Sequence, residues 1–243
     1  MTIALLCPTR ARPEQFKRMC GSAVNTAQIQ DYVKIYAGFT EGDETLSDYN
    51  GRHLFDECIY PDGMPTAFKW NLLAEEAMKD KNNKLFMLCA DDTVFSTPLW
   101  DKALLDHYNA LENKIHVYHL RDSRNPEGTP HPIVTREYIE AMGYFLPPIF
   151  LHWFVDTWTV EIAKSVGCFT HMKDYLLVHD KPSDKGQADE THNKIRNMGW
   201  RERDGWVEEK CRHFLEVEKK RLKEIIINNM SMEQRKRLGV KAW

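Results

Sequence analysis

Apolar residues in the first half of the chain come in two rhythms. The continuous runs "IALLC" (Ile3 to Cys7) and "KLFMLCA" (Lys84 to Ala90) read as strands buried on both faces, since a strand with one wet face would alternate. "YVKIYAGF" alternates with period two, and "HLFDECIYP" is a weaker strand ended by Pro61. Helical spacing fills the gaps. "PEQFKRMCGSAVNTA" begins with Pro13 at a helix start and puts Phe16, Met19, Cys20 and Val24 on one face. "PTAFKWNLLAEEAMKD" does the same with Phe68, Leu72, Leu73 and Ala77. "TPLWDKALLDHYNAL" predicts a further helix, with Thr97 as N-cap and Pro98 at its first position.

Strands alternating with helices predict an α/β layer architecture around a mostly parallel sheet. Such sheets carry their chemistry at the carboxyl ends of the strands, which is where "PTRARP" and "ADDT" fall, so the two stretches are expected to be neighbours. From about Ile115 the rhythm changes. "IHVYHL" is followed by the Gly/Pro loop "DSRNPEGTPHP", a helix "TREYIEAMGYF", then "HWFVDTWTVEIAKSVG" and the strand-like "YLLVH". The last fifty or so residues read as helices, with Val207, Cys211, Phe214, Leu215, Leu222, Ile225 and Ile226 forming a stripe that packs back on the domain.

Composition narrows the function classes. With 243 residues, 42% hydrophobic and 28% charged, the chain can bury one large core without disulfide or metal staples. A net charge of -3 and a pI near 6.4 give no global positive field for nucleic acid or an anionic membrane, so any such contact must be local. The six cysteines are scattered, form no CxxC pair and mostly sit in apolar runs, as reduced core residues of a cytoplasmic protein do. "MTIALLCPTRARP" has no basic leader, and its apolar run is too short to span a membrane. No repeat interrupts the chain.

The chemistry-bearing candidates begin with Asp91 and Asp92. Adjacent carboxylates at a strand end raise one another's pKa, a cost that a divalent cation removes; a solvated, capping turn is the other reading. His179 ends "YLLVH", where an imidazole could complete such a site or serve as a hydrogen-bonded structural residue. Asp156, among aromatic residues at a helix entrance, suits either a general base or a residue favoured by the helix dipole. In "PTRARP", the forks of Arg10 and Arg12 suit phosphates beside the Thr9 hydroxyl, unless the loop is only a turn pinned by two prolines.

Taken in order, "ALLCPTRARP", "ADDTVFSTPLW", "HPIVTREYIEAMGYF", "HWFVDTW" and "LLVHDKP" resemble the nucleotide-sugar glycosyltransferases of the GT-A fold, especially small single-domain and virus-encoded forms related to glycosyltransferase family 2. The resemblance spans roughly residues 1–185. It implies a catalytic domain over 1–185, with a nucleotide-binding half at 1–120 and an acceptor half at 121–185, followed by a helical extension over 186–243. It makes Pro8, Thr9, Arg10 and Arg12 the lip of the nucleotide site and aligns Asp91 and Asp92 with the DxD-type motif. Asp92 would be the direct metal ligand, Asp91 would lie near the ribose or a metal-bound water, and His179 would match the later metal-binding histidine. Asp156 falls where inverting members keep the base, and Lys69 and Asn71 are candidates for nucleotide or phosphate contacts. Ala90 stands where the family's first acid would be, which leaves two candidates for the direct metal ligand.

The implied activity is metal-dependent, inverting transfer of a sugar from a nucleoside-diphosphate sugar, UDP-linked by preference, to an acceptor hydroxyl with Mn²⁺ or Mg²⁺. Two alternatives stay open: a nucleotidyltransferase acting on a sugar phosphate, and a binding module without catalysis. The missing glycine-rich loop after the first strand counts against the former and against dinucleotide oxidoreductases. A hydroxymethylated base in phage DNA is one candidate acceptor, because "EKKRLK" and "EQRKRL" could track phosphates; as solvated helix faces interleaved with glutamates they would not.

Overall fold

The first apolar run does bury both faces. In β1 (Thr2–Pro8), Ile3, Leu5 and Cys7 enter one core with α1 (Pro13–Thr26) and α3 (Trp100–Ala110). Ala4 and Leu6 enter another with α2 (Thr66–Met78), α4 (Arg136–Met142) and α5 (Val155–Ser165). The result is a three-layer α/β/α molecule with two cores separated by a sheet. The computed structural model describes residues 1–49, 55–126, 128, 130–180, 190–231 and 233–234. The start of "HLFDECIYP", the end of "LLVHDKP" and most of "EQRKRL" lie outside the described residues.

The eight-stranded sheet adds β2 (Val33–Thr40), β3 (Phe55–Tyr60), β4 (Asn83–Leu88), β5 (Thr93–Phe95), β6 (Val117–Asp122), β7 (Ile133–Thr135) and β8 (Phe169–His179), in the order β3-β2-β1-β4-β7-β6-β8-β5. The first four strands pair in parallel, as do β6 and β8. Short β7 enters antiparallel between β4 and β6, and β5 returns antiparallel along β8. These two short strands carry the second half of the site to the carboxyl end of the first.

Two helices differ from the sequence expectation. Thr97 does not cap α3. Its Oγ1 accepts the Leu176 amide at 2.9 Å, fastening β8, and α3 starts at Trp100 after Leu99 in a left-handed conformation (φ 64). On α2, Phe68 and Leu72 face out, and the buried face is Ala67, Lys69, Trp70, Leu73, Ala74 and Ala77. The rotation follows from Trp70, whose indole Nε1 donates to Leu6 O and Cys89 O, both at 3.1 Å, tying the helix to the ends of β1 and β4.

The C-terminal residues form α6 (Glu190–Asn197), α7 (Trp200–Lys210) and α8 (Arg212–Asn229). Val207, Leu215, Leu222 and Ile226 belong to the same buried cluster as α2, α4 and α5, so these helices share the main core. Each fully buried leucine contributes about 1.5–3 kcal/mol to that docking. Phe214 is a correction to the expected stripe: it is 51% exposed, one step off the buried face set by Leu215. All six cysteines are free thiols, and Cys7, Cys20, Cys89 and Cys168 are buried. No helix among the described residues is long and apolar enough to cross a membrane.

Candidate active site

The chain leaves β1 at Pro8 into a loop whose backbone is held from three sides. Thr9 N donates to Gly38 O on β2, Ala11 N to Asp43 Oδ2, and Arg12 N to the Tyr49 hydroxyl at 3.0 Å. Tyr49 in turn packs edge-on against Phe16 and Phe39. Ala11 sits at φ 52, a strained conformation for a residue with a Cβ, and this network holds it there. Together these contacts turn Thr9 and Arg12 toward the end of β4.

There the adjacent aspartates part company. Asp91 Oδ1 accepts Arg12 Nη1 at 2.8 Å and Oδ2 accepts the Thr9 hydroxyl at 2.8 Å. Full burial pushes its carboxyl up to about 6, against Arg12 and Thr9, which favour the charged form. Asp92 points the other way. Burial would raise it as well, but His179, Arg12 and His131 outweigh burial and hold it down at about 2. The two stretches expected to be neighbours, "PTRARP" and "ADDT", are joined through the Arg12–Asp91 ion pair.

Strand register delivers the rest. Thr93 of β5 pairs with His179 of β8, and Asp180 N donates to Asp92 O at 2.8 Å, so His179 lies beside Asp92. On its other side β8 runs along β6, whose last residue, Asp122, pairs with Leu177. The imidazole of His179 therefore stands between two carboxylates, with Nε2 3.4 Å from Asp92 Oδ1 and Nδ1 3.4 Å from Asp122 Oδ2. His131, two residues before β7, adds its Nε2 at 3.8 Å from Asp122 Oδ2 and its ring edge-on to His179. Asp122 Oδ1 accepts two loop amides, from Arg124 and Asn125, and its carboxyl is held well below the usual range despite burial.

Asp122 and His131 were not singled out in the sequence. They lie in the loop "DSRNPEGTPHP", whose glycine and prolines read as a connection; the available signal was an aspartate closing an apolar strand and a histidine opening the next. The buried oxygens Asp92 Oδ1 and Asp122 Oδ2 have no hydrogen-bond partner, which leaves hard acceptors facing an imidazole. Carboxylate oxygens are the hard donors that suit Mn²⁺ or Mg²⁺, and the imidazole nitrogen is a borderline donor that Mn²⁺ accepts more readily than Mg²⁺, so these residues fit the metal that the resemblance implies, Mn²⁺ better than Mg²⁺. Asp122, His131 and His179 can also present one ligand atom each within 4.8 Å of one another.

On the Asp91 side of the divide opens a cleft lined by Pro8, Thr9, Arg10, Arg12, Lys69 and Asp91, with Trp70 and His152 stacked at 6.1 Å between ring centroids. Lys69 donates to Thr40 Oγ1 at 2.7 Å, and burial lowers its pKa to about 8. Asn71 stands apart from these residues. Its amide holds the backbone that follows α4, accepting from Phe145 N and Leu146 N and donating to Leu146 O. Asp156 lies in the first turn of α5, half-buried, just after Phe154 at φ 67, and it does not line the cleft. The backbone before it is set by buried Asp204 of α7, whose carboxylate accepts the amides of Leu151, His152 and Trp153.

No known family's sequence profile matches the chain, and no curated protein matches it. Solved structures do match. S. aureus TarS aligns with a TM-score of 0.57 at 10% identity, over 76% of this chain and 38% of that one. TarS 1-349 in complex with UDP gives 0.55 at 10% identity, over 76% of this chain and 62% of that one. Mannosyltransferase PcManGT from Pyrobaculum calidifontis, in complex with GDP-Man and Mn²⁺, gives 0.51 at 10% identity, over 73% and 56%. The fold is GT-A. This chain thus spans less than two thirds of each of those proteins. Within its GT-A fold, the cationic cleft and the carboxylate–histidine cluster sit side by side at the carboxyl ends of β1, β4, β6 and β8, divided by the peptide joining Asp91 to Asp92.

Proposed function

We propose that the protein is a metal-dependent, inverting glycosyltransferase that moves a sugar from a nucleoside-diphosphate sugar, UDP-linked by preference, to an acceptor hydroxyl. One observation carries the reading: a cleft with Arg10, Arg12 and Lys69 lies directly beside a buried cluster in which Asp92 Oδ1 and Asp122 Oδ2 lack hydrogen-bond donors. Basic side chains hold a diphosphate, and the neighbouring cluster supports the cation that such a donor carries.

In this account Arg10 and Lys69 orient the diphosphate, and Asp91 fixes Arg12 at the lip. Asp92 and His179 would hold the divalent cation, which would supply charge neutralisation as the leaving group departs. Asp122 sets the tautomer and direction of His179 through Nδ1, as outer carboxylates do for ligating histidines. Asp156 accepts the acceptor's hydroxyl proton; the freed oxygen forms a bond to the anomeric carbon, the bond to the diphosphate breaks, and the nucleoside diphosphate leaves with that electron pair. Attack opposite the leaving group inverts the centre.

The test is thermal denaturation with Mn²⁺ and a nucleotide panel that includes UDP and GDP. A bound diphosphate at 100 times its Kd stabilises by about 2.7 kcal/mol, and a panel that leaves the melting temperature unmoved removes the donor site. Asp156→Asn should keep donor binding and lower transfer about 10²–10⁴-fold; unchanged transfer would rule out Asp156 as the base. A nucleotidyltransferase would instead release pyrophosphate from a nucleoside triphosphate and a sugar phosphate.

For the acceptor, a hydroxymethylated base in phage DNA is the case to test first. In the C-terminal helices Arg212 is engaged by Glu161 and Glu208, and Lys219 by Glu161 and Glu216, so these two cations are already paired with carboxylates. A gel shift at low salt with no retained DNA excludes that acceptor.

A further inference from the structure

The donor cleft has a wall that lies outside the GT-A-like stretch of sequence. Helix α6 lays Thr191, Lys194 and Ile195 along the cleft, at the i, i+3 and i+4 spacing of one helical face, with Met198 just past its end. The Thr191 hydroxyl donates to Arg10 O at 2.9 Å, joining α6 to the β1 loop. Lys194 Nζ reaches both oxygens of Asp62 at 2.7 Å, and Arg10 Nη1 reaches the same carboxylate at 3.1 Å.

Among the described lining residues, Arg10, Arg12, Lys69 and Lys194 are cationic and Asp62 and Asp91 anionic, so four charges against two leave a surplus of two positive charges. The two carboxylates are held very differently. Asp91 is buried in a geometry fixed by Thr9 and Arg12, whereas the Asp62 side chain is 51% exposed and that of Lys194 31%. A pair that exposed is weak and readily exchanged.

We propose that Lys194 is a diphosphate-binding residue of the donor site and that Asp62 is its placeholder, holding Lys194 and Arg10 over the cleft until phosphate oxygens replace the carboxylate. The proposal rests on the donor reading above and extends it: α6, which follows the stretch of sequence that resembles the family, completes the phosphate subsite. Asp62 keeps two mobile cations in position, so less side-chain ordering remains to be done when the donor arrives.

The experiment is calorimetry on the full chain with Mn²⁺, using UDP and uridine, with GDP and guanosine in parallel. Lys194→Ala should weaken nucleoside-diphosphate binding about 10-fold or more, the size of a lost charge-assisted hydrogen bond, and leave nucleoside binding unchanged. Lys194→Arg should restore most of the loss. Asp62→Asn, which removes the competing carboxylate, should tighten diphosphate binding. An unchanged diphosphate affinity in Lys194→Ala, an equal loss for diphosphate and nucleoside, or a weaker diphosphate affinity in Asp62→Asn would each overturn the proposal while the donor reading stands. A wild-type chain that binds no nucleoside diphosphate overturns both.

Discussion

Asp91 and Asp92 are neighbours in sequence and opposites in surroundings. Asp91 belongs to a cationic cleft and is satisfied by Arg12 and Thr9 at 2.8 Å each. Asp92 belongs to a buried cluster of carboxylates and imidazoles, where its Oδ1 has no hydrogen-bond partner and the ring of His179 stands 3.4 Å away. The difference resolves the electrostatic problem of two acids at a strand tip. Each carboxylate turns to a separate partner across the backbone, one serving the architecture of the loop after β1 and the other left available to a cation.

The largest effect that would break this division is on chemistry. Asp92→Asn should reduce metal-dependent donor hydrolysis by at least about 10²-fold with the melting temperature little changed; an unchanged rate would show that the acid is structural. Asp91→Ala should do the reverse. It strands a buried arginine, and breaking one side of such a pair costs about 3–5 kcal/mol, read as a lower denaturation midpoint. A small stability change would mean that the Arg12–Asp91 pair does not hold the loop.

A smaller effect is expected one residue further out. Asp122→Asn should weaken Mn²⁺ affinity about 10–100-fold if Asp122 orients His179, and leave nucleotide binding without metal unaltered. Equal losses in both would place Asp122 in the fold instead of the site.

The smallest effect is a pH dependence on the cleft side. Burial holds Lys69 near 8, so its ammonium is lost as pH rises through 8, and diphosphate affinity should fall over that interval. The sign for stability is opposite. Between 8 and the ordinary lysine value the unfolded chain binds more protons than the folded one, so stability rises with pH there as the cost of burying the charge disappears. Calorimetry in buffers of different ionisation enthalpy should detect proton uptake on diphosphate binding near pH 8, and Lys69→Arg should abolish it.

The same contrast separates what was legible in the sequence from what was not. β1 and β4 could be read because double burial writes an uninterrupted apolar run, and the loops after them carry the chemistry that strand ends expose. The cluster around Asp92 was half visible, through His179 at the end of "YLLVH". Asp122 and His131 were hidden because tertiary pairing brings them there: β6 carries Asp122 alongside β8, and His131 arrives just before β7, whose three residues leave almost no periodic signal. Local grammar failed where a tertiary bond outbid it. Thr97 looks like a helix cap, yet its hydroxyl is taken by the Leu176 amide; the spacing of Phe68 and Leu72 looks like a core face, yet Trp70 sets the helix rotation. Lys194 was invisible to any reading that stopped at the shared motifs.

The central claim is that Asp92 and His179 hold a divalent cation beside the donor cleft. Mn²⁺ titrated into the protein and followed by electron paramagnetic resonance, with and without UDP, tests it most directly. The account predicts one bound ion per chain, tightened by UDP and lost in both Asp92→Ala and His179→Ala variants that remain folded. Mn²⁺ binding that survives both substitutions, or no bound ion in the wild-type protein with UDP present, would contradict it.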